Sequence, residues 1–167
     1  MHMEDCVING PKFFREMKNL SLKNVTINDA DETFWGIDGL TLQNVVLHEG
    51  TYPFMHCRNI RVDGLQSDAK YVFQYSRDIE IRNAKIDTKD SVWEVDNVTV
   101  YDSELNGEFL GWHSRGLRLV NCHISGEQPL CYAKDLVIEN CTFDPECDRA
   151  FEYSTLQADI RGHIKSI

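Results

Sequence analysis

Glu16, Gly36, His56, Tyr75, Glu94, His113, Tyr132 and Tyr153 follow one another at a near-constant interval of about 20 residues, the kind of fixed period that marks a structural repeat. All but Gly36 have side chains that can exchange protons or hydrogen bonds. A carboxylate beside an imidazole can work as a general acid/base pair, which makes Glu94 and His113 the candidate catalytic residues. Tyrosine and histidine combine hydrogen-bonding edges with aromatic faces, the combination an extended glycan uses. His56, Tyr75, Tyr132 and Tyr153 are therefore candidate ligand-binding residues, with Trp93 and Trp112 one position before the series. The competing reading is purely structural, since like side chains stacked along a sheet stabilise it by a few tenths of a kcal/mol per pair.

What would align these residues is a repeat. Leu20, Leu40, Ile60, Ile79, Val98, Leu117 and Leu136 recur with a period of about 19 residues. Two positions after each stands Leu22, Leu42, Val62, Ile81, Val100, Leu119 or Ile138. The i, i+2 spacing is that of a strand with one buried face. Four positions after each first aliphatic residue stand Asn24, Asn44, Gly64, Asn83, Asp102, Asn121 and Asn140. These types tolerate positive φ, so a sharp bend is expected there in every unit, with side chains able to hydrogen-bond along the file. A second short strand follows, buried through Val25 and Ile27, Val45 and Leu47, and their equivalents as far as Cys141 and Phe143.

A third strand is expected before the aliphatic pair, carrying Phe14, Phe34, Phe54, Phe73, Val92, Gly111 and Leu130 and closing in turns such as Asp38-Gly39 and Arg58-Asn59. Three strands and three bends per unit describe one coil of a parallel β-helix. Leucine-rich repeats share the L-x-L-x-N signature, but their further leucines are missing here. A unit this short also has no room for the two helices of a helical solenoid. Small or apolar residues follow the Glu/His/Tyr file (Met17, Ile37, Cys57, Ser76), which turns the file itself outward. The phenylalanines share its parity and yet look like core, so a bend must separate them. With the opposite parity, Trp35, Trp93 and Trp112 would become an exposed platform.

Phrases such as Phe14-Arg15-Glu16-Met17, Tyr52-Pro53-Phe54-Met55-His56, Phe73-Gln74-Tyr75-Ser76 and Gly111-Trp112-His113-Ser114, in register, give the chain a further likeness. From about Val7 onward it resembles a bacterial family of unknown function classed with the pectin-lyase-like right-handed β-helices. The resemblance implies an all-β fold, a single right-handed parallel β-helix of seven to eight coils, with members that carry additional N-terminal coils. Residues 1–6 are expected to be an irregular start with an added leader, 7–160 the helix, and 161–167 an irregular end. By analogy it also implies polysaccharide lyase or glycosidase chemistry. The Asp-rich calcium column and the adjacent aspartates of such enzymes are missing from this sequence.

Composition narrows the partners. With 17 basic and 27 acidic residues the formal net charge is −10, which disfavours nucleic acid and anionic membranes. The six cysteines follow the repeat and include no CxxC, so reduced thiols are expected, with no metal site. No phosphate-cradling glycine loop is present, and no cofactor is expected. No signal peptide is visible, and the expected location is the cytoplasm. The expectation for function is a carbohydrate-binding or scaffold module, with an oligo- or polysaccharide partner and self-association invited by the exposed end coils. The alternative is a lyase or hydrolase acting through Glu94 and His113.

Overall fold

The computed structural model describes all residues, 1–167. The chain is all-β, and its parallel strands stack as a β-solenoid of about eight turns. The strands are β1 (His2–Asn9), β2 (Lys18–Asn28), β3 (Asp38–His48), β4 (Arg58–Ser67), β5 (Arg77–Arg82), β6 (Lys85–Asp87), β7 (Asp96–Tyr101), β8 (Glu104–Asn106), β9 (Arg115–Val120), β10 (His123–Ser125), β11 (Leu136–Phe143) and β12 (Leu156–Arg161). Every pairing is parallel, and the register is that of the repeat: Leu20↔Leu40↔Ile60↔Ile79↔Val98↔Leu117. From β5 to β10 each coil's extended face divides into a longer and a shorter strand at the Asn/Asp bend, which β2, β3, β4 and β11 run through.

The bends are where the residue types put them. Asn24, Asn44, Asn83, Asp102, Asn121 and Asn140 all lie at φ of 50–53°, and Gly64 fills the same place at 78°. Left-handed backbone costs an L-residue about 1–2 kcal/mol, least for Asn and Asp, whose short polar groups bond locally. Here the bonding runs between coils: Asn44 Nδ2 donates to Asn24 Oδ1 (3.3 Å), and Asn140 Nδ2 to Asn121 Oδ1 (2.7 Å). The inward files on both sides of this bend are buried, and their apolar members form one continuous core.

Two expectations need correction. The third strand is not a strand. Its residues form a chain of turns in which alternate positions are left-handed, as at Tyr52 (58°), Phe54 (63°) and His56 (56°), and again at Tyr71, Phe73 and Tyr75. The turns hydrogen-bond to neighbouring coils, alternately backwards and forwards: Phe54 N–H donates to Thr33 O and His56 N–H to Gln74 O. This is the bend that separates the two files of equal parity. Phe34, Phe54 and Phe73 are fully buried and stack ring on ring at 4.7 and 4.4 Å, while His56 and Tyr75 point to solvent.

The second correction concerns the start. Residues 2–9 are not irregular, because β1 pairs with β2 from His2↔Ser21 to Asn9↔Asn28. Lys23 Nζ on Glu4 (2.6 Å) and Asn24 Nδ2 on Asp5 (2.8 Å) continue the side-chain files into this strand. At the other end β12 runs to Arg161, and the segment after it has no regular structure but is tied back by Lys165 N–H to Cys147 O and Ala150 N–H to Ser166 O.

Candidate functional site

The structure brings the expected file together on one exposed strip. Left-handed turns at Glu16, His56, Tyr75, Glu94, His113, Tyr132 and Tyr153, with Gly36 likewise at positive φ, present these residues along the rod. His56 stacks on Tyr75 (5.3 Å, 19°), His113 on Tyr132 (5.0 Å, 18°), and Tyr132 on Tyr153 (5.2 Å, 14°). These near-parallel rings have a chemical consequence. Each ring covers its neighbour's face, so the strip offers solvent mostly edges: phenol oxygens and imidazole nitrogens. The exceptions are the ends of the stacks, Tyr75 and Tyr153, which each meet a ring on one face only and are 45% and 81% exposed against 37% for Tyr132. A ligand on this strip would be held by hydrogen bonds to ring edges more than by stacking on faces.

Glu94 lies between the two stacked groups. Its backbone N–H donates to Trp112 O on the next coil (2.8 Å), but its carboxylate makes no ion pair or hydrogen bond with His113. The His113 ring instead packs against Trp93 and Tyr132. The tryptophans are half-buried and form no platform. Trp93 stacks on Trp112 (5.4 Å, 26°), and Trp112 Nε1 donates to Gln128 O (2.6 Å). Trp93 packs against His113, and Trp112 against His113 and Tyr132, so both rings buttress the strip.

Two positions beyond the strip runs a file that residue-by-residue reading treated only as turn formers: Lys18, Asp38, Arg58, Arg77, Asp96, Arg115 and Lys134. Between it and the strip, over the coils from Glu16 to Arg77, lies an open groove of about 300 Å³, lined by Glu16, His56, Tyr75, Lys18, Arg58 and Arg77 among others. Asp38 accepts from Arg58 Nη2 (2.8 Å) and Asn59 Nδ2 (2.7 Å), and these hydrogen bonds hold its carboxyl below the usual carboxylate range. The signal that could have revealed the file is its charge sequence, five basic residues among seven in a chain of net charge −10. The larger concavities, about 620 and 580 Å³, follow the two left-handed corners at Asn19–Asn97 and Asn44–Asp102. They arise wherever the chain tucks inward beside a strand, and none of the expected site residues lines them.

No group of three or more His, Cys, Asp or Glu side chains is placed to hold a metal ion. All six cysteines are free, and burial pushes the Cys57 thiol up to about 12.

A parallel β-solenoid with a single outward file of histidine, tyrosine and glutamate, bordered by a basic corner, is the class of protein these features define. More particularly, the chain belongs to the DUF3737 family of proteins of unknown function, whose profile matches residues 1–167. A comparison with curated proteins finds no match.

Proposed function

We propose that this protein binds an extended carbohydrate along the strip from His56 to Tyr153 and performs no chemistry on it. One observation carries this reading: hydrogen-bonding edges stand outward at one per coil along the rod, and where the strip begins, at His56 and Tyr75, they border an open groove rather than an enclosed cleft. Successive coils advance about 4.8 Å. A glycan lying parallel to the axis can present hydroxyl groups to several coils at once, each bond adding modestly to a summed affinity. The half-buried tryptophans hold the rings in place beforehand, which reduces the ordering lost on binding.

A glycan array probed with the full chain tests this. Retention of at least one glycan class, and its loss in Tyr132→Ala and Tyr75→Ala variants that still melt cooperatively, is the expected result. An array without retained glycans, or strip variants that bind like the parent, would overturn the reading. Assaying the bound glycans for new reducing ends and unsaturated products tests the alternative in which Glu94 and His113 act as acid and base.

A further inference from the structure

Beneath the coil repeat the site face carries a second, longer one. Trp35 packs against His56 at 5.8 Å and 60°, and His56 stacks on Tyr75 at 5.3 Å and 19°. Three coils on, Trp93 packs against His113 at 5.5 Å and 56°, and His113 stacks on Tyr132 at 5.0 Å and 18°. The corner repeats with them. Asp38, Arg58 and Arg77 are register neighbours on successive coils, and so are Asp96, Arg115 and Lys134. The same grouping of Trp, His, Tyr, Asp and two cations therefore occurs twice, the second copy three coils beyond the first.

Within each copy two cations face each other across neighbouring coils, Arg58 with Arg77 and Arg115 with Lys134. Like charges in register destabilise a sheet, and a structural role would favour alternating signs. In the first copy Arg58 is drawn onto Asp38 at 2.8 Å, and Arg77 reaches Asp78 only at 3.9 Å. In the second copy neither Arg115 nor Lys134 holds any ion pair, although Asp96 is the register neighbour of Arg115. Between the two cation pairs, on the coil that opens the second copy, Glu94 and Asp96 make the strip and its corner acidic.

We infer that these are two equivalent anion subsites of one binding face, and that the ligand is an oligosaccharide bearing carboxylate or sulfate groups at intervals, with neutral sugars between them. The inference rests on the glycan-binding reading above and adds the ligand's charge pattern. Three coils set the anchoring groups about 14 Å apart. A glycan charged on every sugar meets Glu94 and Asp96 in the middle and is repelled there. A neutral one leaves the cation pairs unused. A ligand that spans both subsites gains from effective concentration, so its affinity rises in a step with length.

The test is titration of the full chain, followed by tryptophan fluorescence, since Trp35 and Trp93 belong to the two subsites. Hyaluronan oligosaccharides from disaccharide to decasaccharide alternate carboxylates with neutral sugars. Oligomannuronates carry one on every sugar, sulfated oligosaccharides supply the other anion, and cello-oligosaccharides carry none. Expected is a step in affinity with length for an intermittently charged probe, weakened by salt. Arg115→Gln/Lys134→Gln should lower that affinity about tenfold and remove the step, and Arg58→Gln/Arg77→Gln should lower it less, because Asp38 already neutralises part of that pair. Without ligand at low salt, Arg115→Gln/Lys134→Gln should melt no lower than the parent, since a repulsion has gone.

Cello-oligosaccharides binding as well as the charged ones, unaffected by either double variant, would overturn this inference while leaving carbohydrate binding intact. If no oligosaccharide binds, both readings fall. Equal affinity for a single-stranded oligodeoxynucleotide would overturn the glycan identity. A destabilised Arg115→Gln/Lys134→Gln would assign the pair to structure instead.

Discussion

Replacing Glu94 by glycine should leave the protein more stable than replacing it by alanine. In a strand the order is the reverse, with glycine about 0.5–1 kcal/mol worse than alanine because it loses more backbone freedom on folding. Glu94, however, sits at φ 48°, in the left-handed region. An L-residue there is strained by about 1–2 kcal/mol, and glycine is not. Setting the strain relieved against the entropy lost leaves glycine ahead by roughly 0.5–1 kcal/mol. The site is suited to the comparison because the Glu94 side chain is exposed and makes no ion pair, so both substitutions remove the same small set of contacts. Glycine already occupies the equivalent place in one coil, at Gly36, where φ is 68°. For a chain of this length the difference corresponds to about 1–4 °C in Tm. Thermal melts of the two variants side by side, checked by urea titration, read it directly. An alanine variant as stable as the glycine variant, or more so, would refute alternating left-handed turns at the strip and restore a third strand.

Two further outcomes follow from the interior. Phe54→Ala should cost about 3–5 kcal/mol, near the upper end because both faces of the ring are covered, by Phe34 at 4.7 Å and Phe73 at 4.4 Å. A loss under about 1 kcal/mol by denaturant titration would show that the aromatic column is not packed as described. Asp90 has a buried Oδ1 with no partner, and burial raises its pKa above the ordinary 3.8, with Glu108 adding to the rise and Lys89 opposing it. The folded state then holds the proton more tightly than the unfolded one, so stability should fall as pH rises from below 3.8 through the raised value and stay reduced at neutrality. Asp90→Asn should flatten that slope and raise Tm at neutral pH, and melts across the acid range that leave the slope unchanged would assign it to other carboxylates.

The coil and its interior could be read from residue types alone. Leu20 over Leu40 over Ile60 demands a repeat of fixed length with a buried face, and Asn24, Asn44 and Asn83 mark a bend because few other residues accept positive φ cheaply. The outward direction of His56, Tyr75, His113 and Tyr132 could be inferred from the small and apolar residues that follow them. Side-chain alternation could not say how Phe54 and His56, two residues apart, face opposite ways. Only the backbone decides that, through consecutive left-handed turns at residues whose types do not announce them. Tertiary structure likewise decided what the strip offers a ligand: stacking in register turns the ring faces toward each other and leaves the edges to solvent. It also set Arg115 beside Lys134, a full coil apart along the chain, whose shared corner exists only once the coils are closed and stacked.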